Sequence, residues 1–237
     1  VGVEPTDAVI EIGPGLGQLT RPLARAARRT IPLEIDRGLV EYLREQDLGP
    51  TVEVRHQDAL QADFGALCRE LAPPVVLVGN LPYSISGRLL GQLLVPSNPF
   101  RRWGFLLQKE VADRLLAAPG SAEYGILTVW IRLLVRARRA FELGPGEFVP
   151  RPKVRSTFLV LDPAPEPPPV ADWETLRRVV HAAFRQRRKT LRRALASTFE
   201  DVDLALREAG IDPQIRGEQL SELDFSRLAN AFSGICR

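Results

Sequence analysis

Four residues, Asn80-Leu81-Pro82-Tyr83, are the most specific chemical signal in this 237-residue sequence. They follow the apolar run Val75–Gly79, where a strand hands over to the next element. The Asn80 side-chain oxygen and the Leu81 backbone carbonyl are two acceptors on adjacent residues, which suits the two hydrogens of an exocyclic amine. An adenine amine is a poor nucleophile because its lone pair is delocalised into the ring. Binding both hydrogens pulls the nitrogen toward tetrahedral geometry and aims the lone pair at a methyl donor. Pro82 stiffens the turn, and Tyr83 offers a face on which a base can stack. No general base is needed, since the proton becomes acidic once transfer has begun, and a chain with two histidines and two cysteines is consistent with that.

Val9-Ile10-Glu11-Ile12-Gly13-Pro14-Gly15-Leu16-Gly17 is a strand running into a glycine turn and then a helix. Its spacing is GxGxG, which differs from the GxGxxG of dinucleotide folds. Glu34 stands 21 residues past Gly13, at the end of the next apolar run, where a carboxylate holds a ribose diol. Asp58, just after the third run, offers an acceptor to the amine of a cofactor's adenine, although an Asp there also reads as a helix cap. Such a set fits an adenosine-bearing ligand. The missing pyrophosphate-type glycine and the acid at Glu11 favour S-adenosylmethionine over a nicotinamide dinucleotide.

These groups need a sheet whose strand ends share one edge. Strands are predicted over Ala8–Ile12, Ile31–Ile35, Thr51–Arg55, Val75–Gly79 and Trp103–Leu107, with a closing hairpin from Ala140–Leu143 and Ser156–Leu161. Helices are predicted over Leu16–Ala27, Arg37–Gln46, Ser86–Leu94, Lys109–Ala117 and Tyr124–Arg136. That alternation implies a mostly parallel seven-stranded sheet with helices on both faces. Pro32 is a discord, because proline inside a central strand deletes a ladder donor. Five prolines within Asp162–Val170 read as a linker. Beyond it, Trp173–Thr198 reads as one amphipathic helix with Arg185, Arg188, Lys189 and Arg192 on a shared stripe, followed by helices over Asp203–Ala209 and Ser226–Phe232. The expected division is a sheet domain 1–162, a linker 163–171 and a helical domain 172–237.

Charge is unevenly spread. Residues 1–100 carry nine Lys and Arg against twelve Asp and Glu, whereas residues 101–160 carry eleven against five. Eight more cations crowd between Arg177 and Arg193, which points to a polyanion as one partner. No run approaches the ~18 apolar residues of a membrane span. Two cysteines 168 positions apart make neither a disulfide framework nor a thiolate metal site. A cytoplasmic, metal-free monomer is expected.

Taken together, these motifs resemble the small-subunit (16S) ribosomal RNA adenine N6-dimethyltransferases, the kasugamycin-resistance family, over nearly the whole chain. Glu11-Ile12-Gly13-Pro14-Gly15-Leu16-Gly17, Leu33-Glu34-Ile35-Asp36, Gln57-Asp58-Ala59-Leu60 and Asn80-Leu81-Pro82-Tyr83-Ser84-Ile85-Ser86 are similar to that family's cofactor loop, ribose acid, adenine contact and catalytic motif. Leu107-Gln108-Lys109-Glu110-Val111 and Tyr124-Gly125 also match. The resemblance implies a class I, Rossmann-like methyltransferase fold with a small all-α C-terminal domain. S-adenosylmethionine is then held by Glu11, Gly13, Gly15, Glu34, Asp58 and Asn80. It implies catalysis by Asn80, Leu81, Pro82 and Tyr83, with Phe148, in Phe148-Val149-Pro150-Arg151-Pro152-Lys153-Val154, as the second wall around a flipped base. Phe184-Arg185-Gln186-Arg187-Arg188-Lys189-Thr190-Leu191 resembles the family's RNA-docking signature, which makes Arg185, Arg187, Arg188, Lys189 and Arg192 candidate RNA ligands. The implied substrate is 16S ribosomal RNA in the small subunit or its late precursor, dimethylated at two adjacent adenines of the 3′-terminal hairpin.

The family carries a glutamine–asparagine–phenylalanine–leucine element upstream of the glycine loop that has no counterpart here. With no methionine and Val1 at the start, the chain reads as N-terminally truncated and of weakened activity. Two other readings stay open: the sister enzymes that methylate 23S ribosomal RNA and confer macrolide resistance, and a non-catalytic nucleic-acid-binding relative. The segment from Gln186 to Leu191 favours the small-subunit enzymes, and the intact Asn80–Tyr83 quartet disfavours a binding protein.

Overall fold

The structure, a computed structural model, describes residues 1–149 and 151–235, without the side chains of Tyr83 and Ile235. Seven strands form one sheet in the order β3-β2-β1-β4-β5-β7-β6. They are β1 (Ala8–Ile12), β2 (Arg29–Glu34), β3 (Arg55–His56), β4 (Val75–Asn80), β5 (Arg102–Gln108), β6 (Val135–Leu143) and β7 (Ser156–Pro163). Strands β1 to β5 pair in parallel and β7 runs antiparallel to β5. Every residue of β1 is buried, as is Val75–Gly79 of β4, as expected of central strands covered on both faces. The connecting helices are α1 (Thr20–Ala26), α2 (Arg37–Glu45), α3 (Phe64–Leu71), α4 (Tyr83–Leu93) and α5 (Lys109–Leu115). Then come α6 (Ile126–Leu134), α7 (Trp173–Arg185), α8 (Leu191–Leu195), α9 (Val202–Glu208) and α10 (Glu222–Ile235).

Pro32 does sit inside β2, opposite Glu11 of β1. The Thr30 N–H donates to the Thr51 carbonyl and the Glu53 N–H donates to the Thr30 carbonyl, so even-numbered residues of β2 face the third strand. The Pro32 nitrogen faces that side too and has no proton to give. The ladder breaks there: a lone bridge joins Thr30 to Val52, and pairing resumes only at Leu33–Arg55 and Glu34–His56. The strand expected over Thr51–Arg55 is therefore reduced to Arg55–His56. Other bounds move as well. Helix α1 starts at Thr20 instead of Leu16, because Gly15 and Gly17 have positive φ. Ile35 lies past the end of β2 and is exposed. Helix α3 was not expected at all.

The chain divides into two compact units, Val1–Ala112 with Arg136–Pro163, and Asp113–Val135 with Ala164–Arg237. The first contains the sheet. Segment 113–135 falls with the helical unit, where the sequence reading had grouped it with the sheet. Helix α6 is apolar on most of its circumference and packs on α7 and α10, with Trp130 against Trp173 at 6.3 Å between ring centres and Arg132 bonded to Glu222 at 2.8 Å. The proline-rich stretch is stitched to α10. Ser226 and Asn230 each donate to the Pro169 carbonyl at 2.8 Å, and the Asn230 oxygen accepts the Ala171 N–H.

The single helix expected over Trp173–Thr198 is two helices. Helix α7 stops at Arg185, a turn closes from the Lys189 N–H to the Gln186 carbonyl, and α8 begins at Leu191. The first donors of α8 find partners from elsewhere in the unit: Leu191 N–H to the Ile215 carbonyl at 2.7 Å and Arg192 N–H to that of Pro213 at 3.3 Å. Those bonds replace the intrahelical ones a continuous helix would make. The cationic stripe of Arg185, Arg188, Lys189 and Arg192 on one helix therefore does not exist. Among the described residues no helix is long and apolar enough to cross a membrane.

Candidate active site

The glycine turn follows β1 and is built by residues on both sides of it. Gly13, Gly15 and Gly17 have φ of +66°, +56° and +79°, a region costly for residues with a Cβ. Gly17 also lacks room, since a Cβ there would lie 2.9 Å from Leu43 Cδ2. The Gly13 N–H donates to the Leu33 carbonyl at 3.0 Å, and the Arg21 guanidinium bonds the carbonyls of Leu16 and Gly17 at 3.1 and 3.2 Å.

Two carboxylates lie beside this turn. Glu34, at the end of β2, is 7% exposed. Its Oε1 accepts the N–H groups of Ile35 and Asp36 at 2.9 and 3.0 Å, and its Oε2 takes a longer 3.3 Å bond from Gly15 of the turn. An acid held by backbone donors with spare lone pairs on one oxygen is suited to a vicinal diol. Glu11, on β1, is 1% exposed and accepts a 2.6 Å bond from the buried Thr20 hydroxyl. Burial pushes its carboxyl up to about 7, aided by the nearby Glu34 charge and opposed by the Thr20 bond. The sequence reading missed Thr20. A buried acid needs a donor, and a hydroxyl at the first residue of the helix after the turn is in place to supply it.

Asp58 caps the short 3-10 turn Ala59–Gln61, accepting the Leu60 N–H at 2.9 Å through Oδ1. Its Oδ2 takes a longer 3.3 Å bond from Gln61. Asp58 is half-buried just past the end of β3, at the edge of the sheet where β1, β2 and β4 also end.

Asn80 is the last residue of β4, paired with Leu106 of β5, and it is exposed. The Leu81 N–H continues that pairing to the Leu106 carbonyl at 3.1 Å, which fixes the peptide that follows the strand. Pro82 caps α4, its carbonyl accepting the N–H groups of Ile85 and Ser86 at 3.2 Å. Gly79, just before, has no space for a side chain, as a Cβ would meet the Ile12 carbonyl oxygen at 2.8 Å. The Tyr83 side chain and Pro150 lie outside the described residues. Phe148 closes the arrangement: a cavity of about 180 Å³ is lined by Asn80, Leu81, Gln108, Phe148, Val154 and Ser156, among others. That is smaller than the ~300–1,000 Å³ of pockets for drug-sized ligands, and it suits one planar base. A larger cavity of about 740 Å³ lies away from these groups, against Phe64, Cys68 and Phe100. Burial pushes the Cys68 thiol up to about 12, so it offers no nucleophile there.

Of the five basic residues singled out in the helical unit, two are held within it. Arg187 binds Glu218 and the Ala122 carbonyl, each at 3.0 Å, and Arg192 binds Asp203 at 2.6 Å. Arg185, Arg188 and Lys189 are exposed at the end of α7 and in the turn after it. Among the described residues, no three His, Cys, Asp or Glu side chains gather as a metal site.

A family model described as ribosomal RNA adenine dimethylase matches residues 1–233. The chain is 44% identical to the ribosomal RNA small subunit methyltransferase A of Laribacter hongkongensis, over 97% of this chain and 87% of that protein. The protein of that name from Syntrophotalea carbinolica is 43% identical over 96% and 86%. The 23S rRNA methyltransferase ErmE is similar in structure with a TM-score of 0.71 and 27% identity, covering 98% of this chain and 93% of that one. A dimethyladenosine transferase from Plasmodium falciparum shares the fold at a TM-score of 0.80, with 23% identity over 98% and 92% of the two chains. By its sequence, its sheet and the match over almost its full length, the chain belongs to the ribosomal RNA adenine dimethylase family.

Proposed function

We propose that this protein transfers methyl groups from S-adenosylmethionine to the exocyclic N6 of two adjacent adenines in the 3′-terminal hairpin of 16S ribosomal RNA, twice each. It acts as a cytoplasmic monomer on the small subunit or its late precursor. The observation that carries this reading is the base-sized cavity between Asn80, Leu81 and Phe148, on the sheet edge that also carries Glu34. Asn80 and Leu81 supply two carbonyl acceptors for an extruded adenine amine, and Phe148 supplies a stacking wall. Glu34 has the lone pairs to hold the ribose of S-adenosylmethionine, which brings the methyl group. Glu11 and the glycine turn are assigned to its cationic methionine end, and Asp58 to its adenine. Arg185, Arg188 and Lys189 are assigned to RNA phosphates, and Arg187 and Arg192 reach RNA only by leaving their ion pairs.

The test is methylation of undermethylated small and large ribosomal subunits, read by mass spectrometry of the adenines. Dimethyladenosine in the small-subunit RNA is expected, and methylation confined to the large subunit would overturn the choice of target. Two variants probe the parts. Glu34→Ala should raise the dissociation constant for S-adenosylmethionine at least about tenfold, because each charge-assisted hydrogen bond lost is worth roughly 1.5–3 kcal/mol. An unchanged constant by calorimetry removes Glu34 from the site. Phe148→Ala should lower the methylation rate, because an extruded base loses stacking worth about 1–3 kcal/mol. Cofactor affinity should stay within about threefold. A wild-type rate would mean Phe148 only fills the loop.

A further inference from the structure

We infer that the basic edge formed by β6 and the loop into β7 binds the phosphates of the single-stranded RNA that flanks the adenine entering the cavity. The inference rests on the proposed function and adds a surface to it. Strand β6 is one of the two edge strands of the sheet, and all but one of the residues from Arg136 to Glu142 are exposed. Arg136, Arg138 and Arg139 lie on it, and Arg151, Lys153 and Arg155 are exposed in the segment that leads into β7. Across residues 136–155 six cations face two acids, Glu142 and Glu147.

Charged side chains on an edge strand are a common guard against aggregation, so charge alone would say little. Position separates the two meanings. The stack of Phe141 on Phe158, with rings 5.0 Å apart and 2° from parallel, sets the C-terminal end of β6 beside the start of β7. Ser156, at that start, pairs with Gln108 of β5, and both line the base cavity. The next residues outward are Lys109 and Arg155, joined through the Lys109 N–H and the Arg155 carbonyl at 2.9 Å. Their cationic groups and that of Arg139 lie 3.4–3.9 Å from the carboxylate of Glu142. From there the cations continue along β6 to Arg138 and Arg136, a run of about 23 Å from Leu143 at ~3.3 Å per residue. A row of cations that starts at the mouth of a base-sized cavity and runs outward along a strand fits a polynucleotide backbone better than it fits a scattered solubilising surface. Contacts of this kind hold and align the strand without reading its sequence.

The experiment uses an Arg136→Gln/Arg138→Gln variant of the whole chain and an RNA hairpin with the 3′-terminal loop sequence. Binding is measured without cofactor over a range of salt concentrations. The log–log slope is expected to flatten by about 0.7 for each lost phosphate contact, and KM for subunits to rise while kcat and cofactor affinity stay within twofold. A slope and KM equal to wild type would overturn the inference and leave β6 a guarded edge. Because the slope is read without methyl transfer, wild-type protein that binds the hairpin but methylates no adenine would sink the proposed function instead.

Discussion

Methylation of small subunits by an Asn80→Ala variant is expected to fall by about 10²–10³-fold in kcat at saturating cofactor, the scale seen when one pre-positioned hydrogen-bonding group is removed from a reacting centre. The change deletes one of two acceptors for the amine and leaves the other in place, since the Leu81 peptide is held by its own bond to Leu106. Asn80 is exposed, so no buried hole results, and the unfolding free energy should stay within ~0.5 kcal/mol of wild type. A kcat within threefold of wild type would show that the amine is bound elsewhere.

The second large effect is on stability against pH. Glu11 titrates at about 7 in the folded protein and at an ordinary 4.5 when exposed. The folded state therefore binds a proton that the unfolded chain has released between these values. The contribution is fully present below about pH 4.5 and is lost as pH rises through 7. A shift of this size corresponds to about 3 kcal/mol. A Glu11→Gln variant has no proton to lose, so it should gain about that much on wild type between pH 5 and pH 8. Urea unfolding of both proteins at the two pH values measures it, and parallel changes would mean Glu11 is solvated more than its burial implies. In the proposed reading this instability is tolerated because an ionised Glu11 faces the positive end of the cofactor.

Much of the sheet unit was legible because its strands are central and uniformly apolar, as in Val75–Gly79. Glycine spacing and the strand ends carried Glu34 and Asn80 with them. Strand β6 was recognised only over Ala140–Leu143, since an exposed edge strand that carries Arg136, Arg138 and Arg139 has neither apolar alternation nor a buried face. Helix α3 was overlooked although its signal was present: Asp63 accepts the Ala66 N–H at 2.8 Å as a cap, and Leu67, Cys68 and Leu71 form its buried side. The break after Arg185 had no signal to find. Neither glycine nor proline marks it, and the carbonyls that replace the helical bonds come from Pro213 and Ile215, far along the chain. The cavity joins Asn80 to a loop about seventy residues later, a pairing that the resemblance implied through Phe148 and that no local spacing or periodicity could show.

The hydrogen bond from Thr20 to Glu11 ties the last strand residue but one before the glycine turn to the first residue of α1. It turns the number of residues between them into a fixed quantity. One inserted residue would displace the first residue of α1, carry the hydroxyl off the buried acid and strand that acid without its donor. An insertion in this segment is therefore expected to cost more stability than one in a stretch such as Asp47–Thr51, where no such bond to a buried acid counts the spacing.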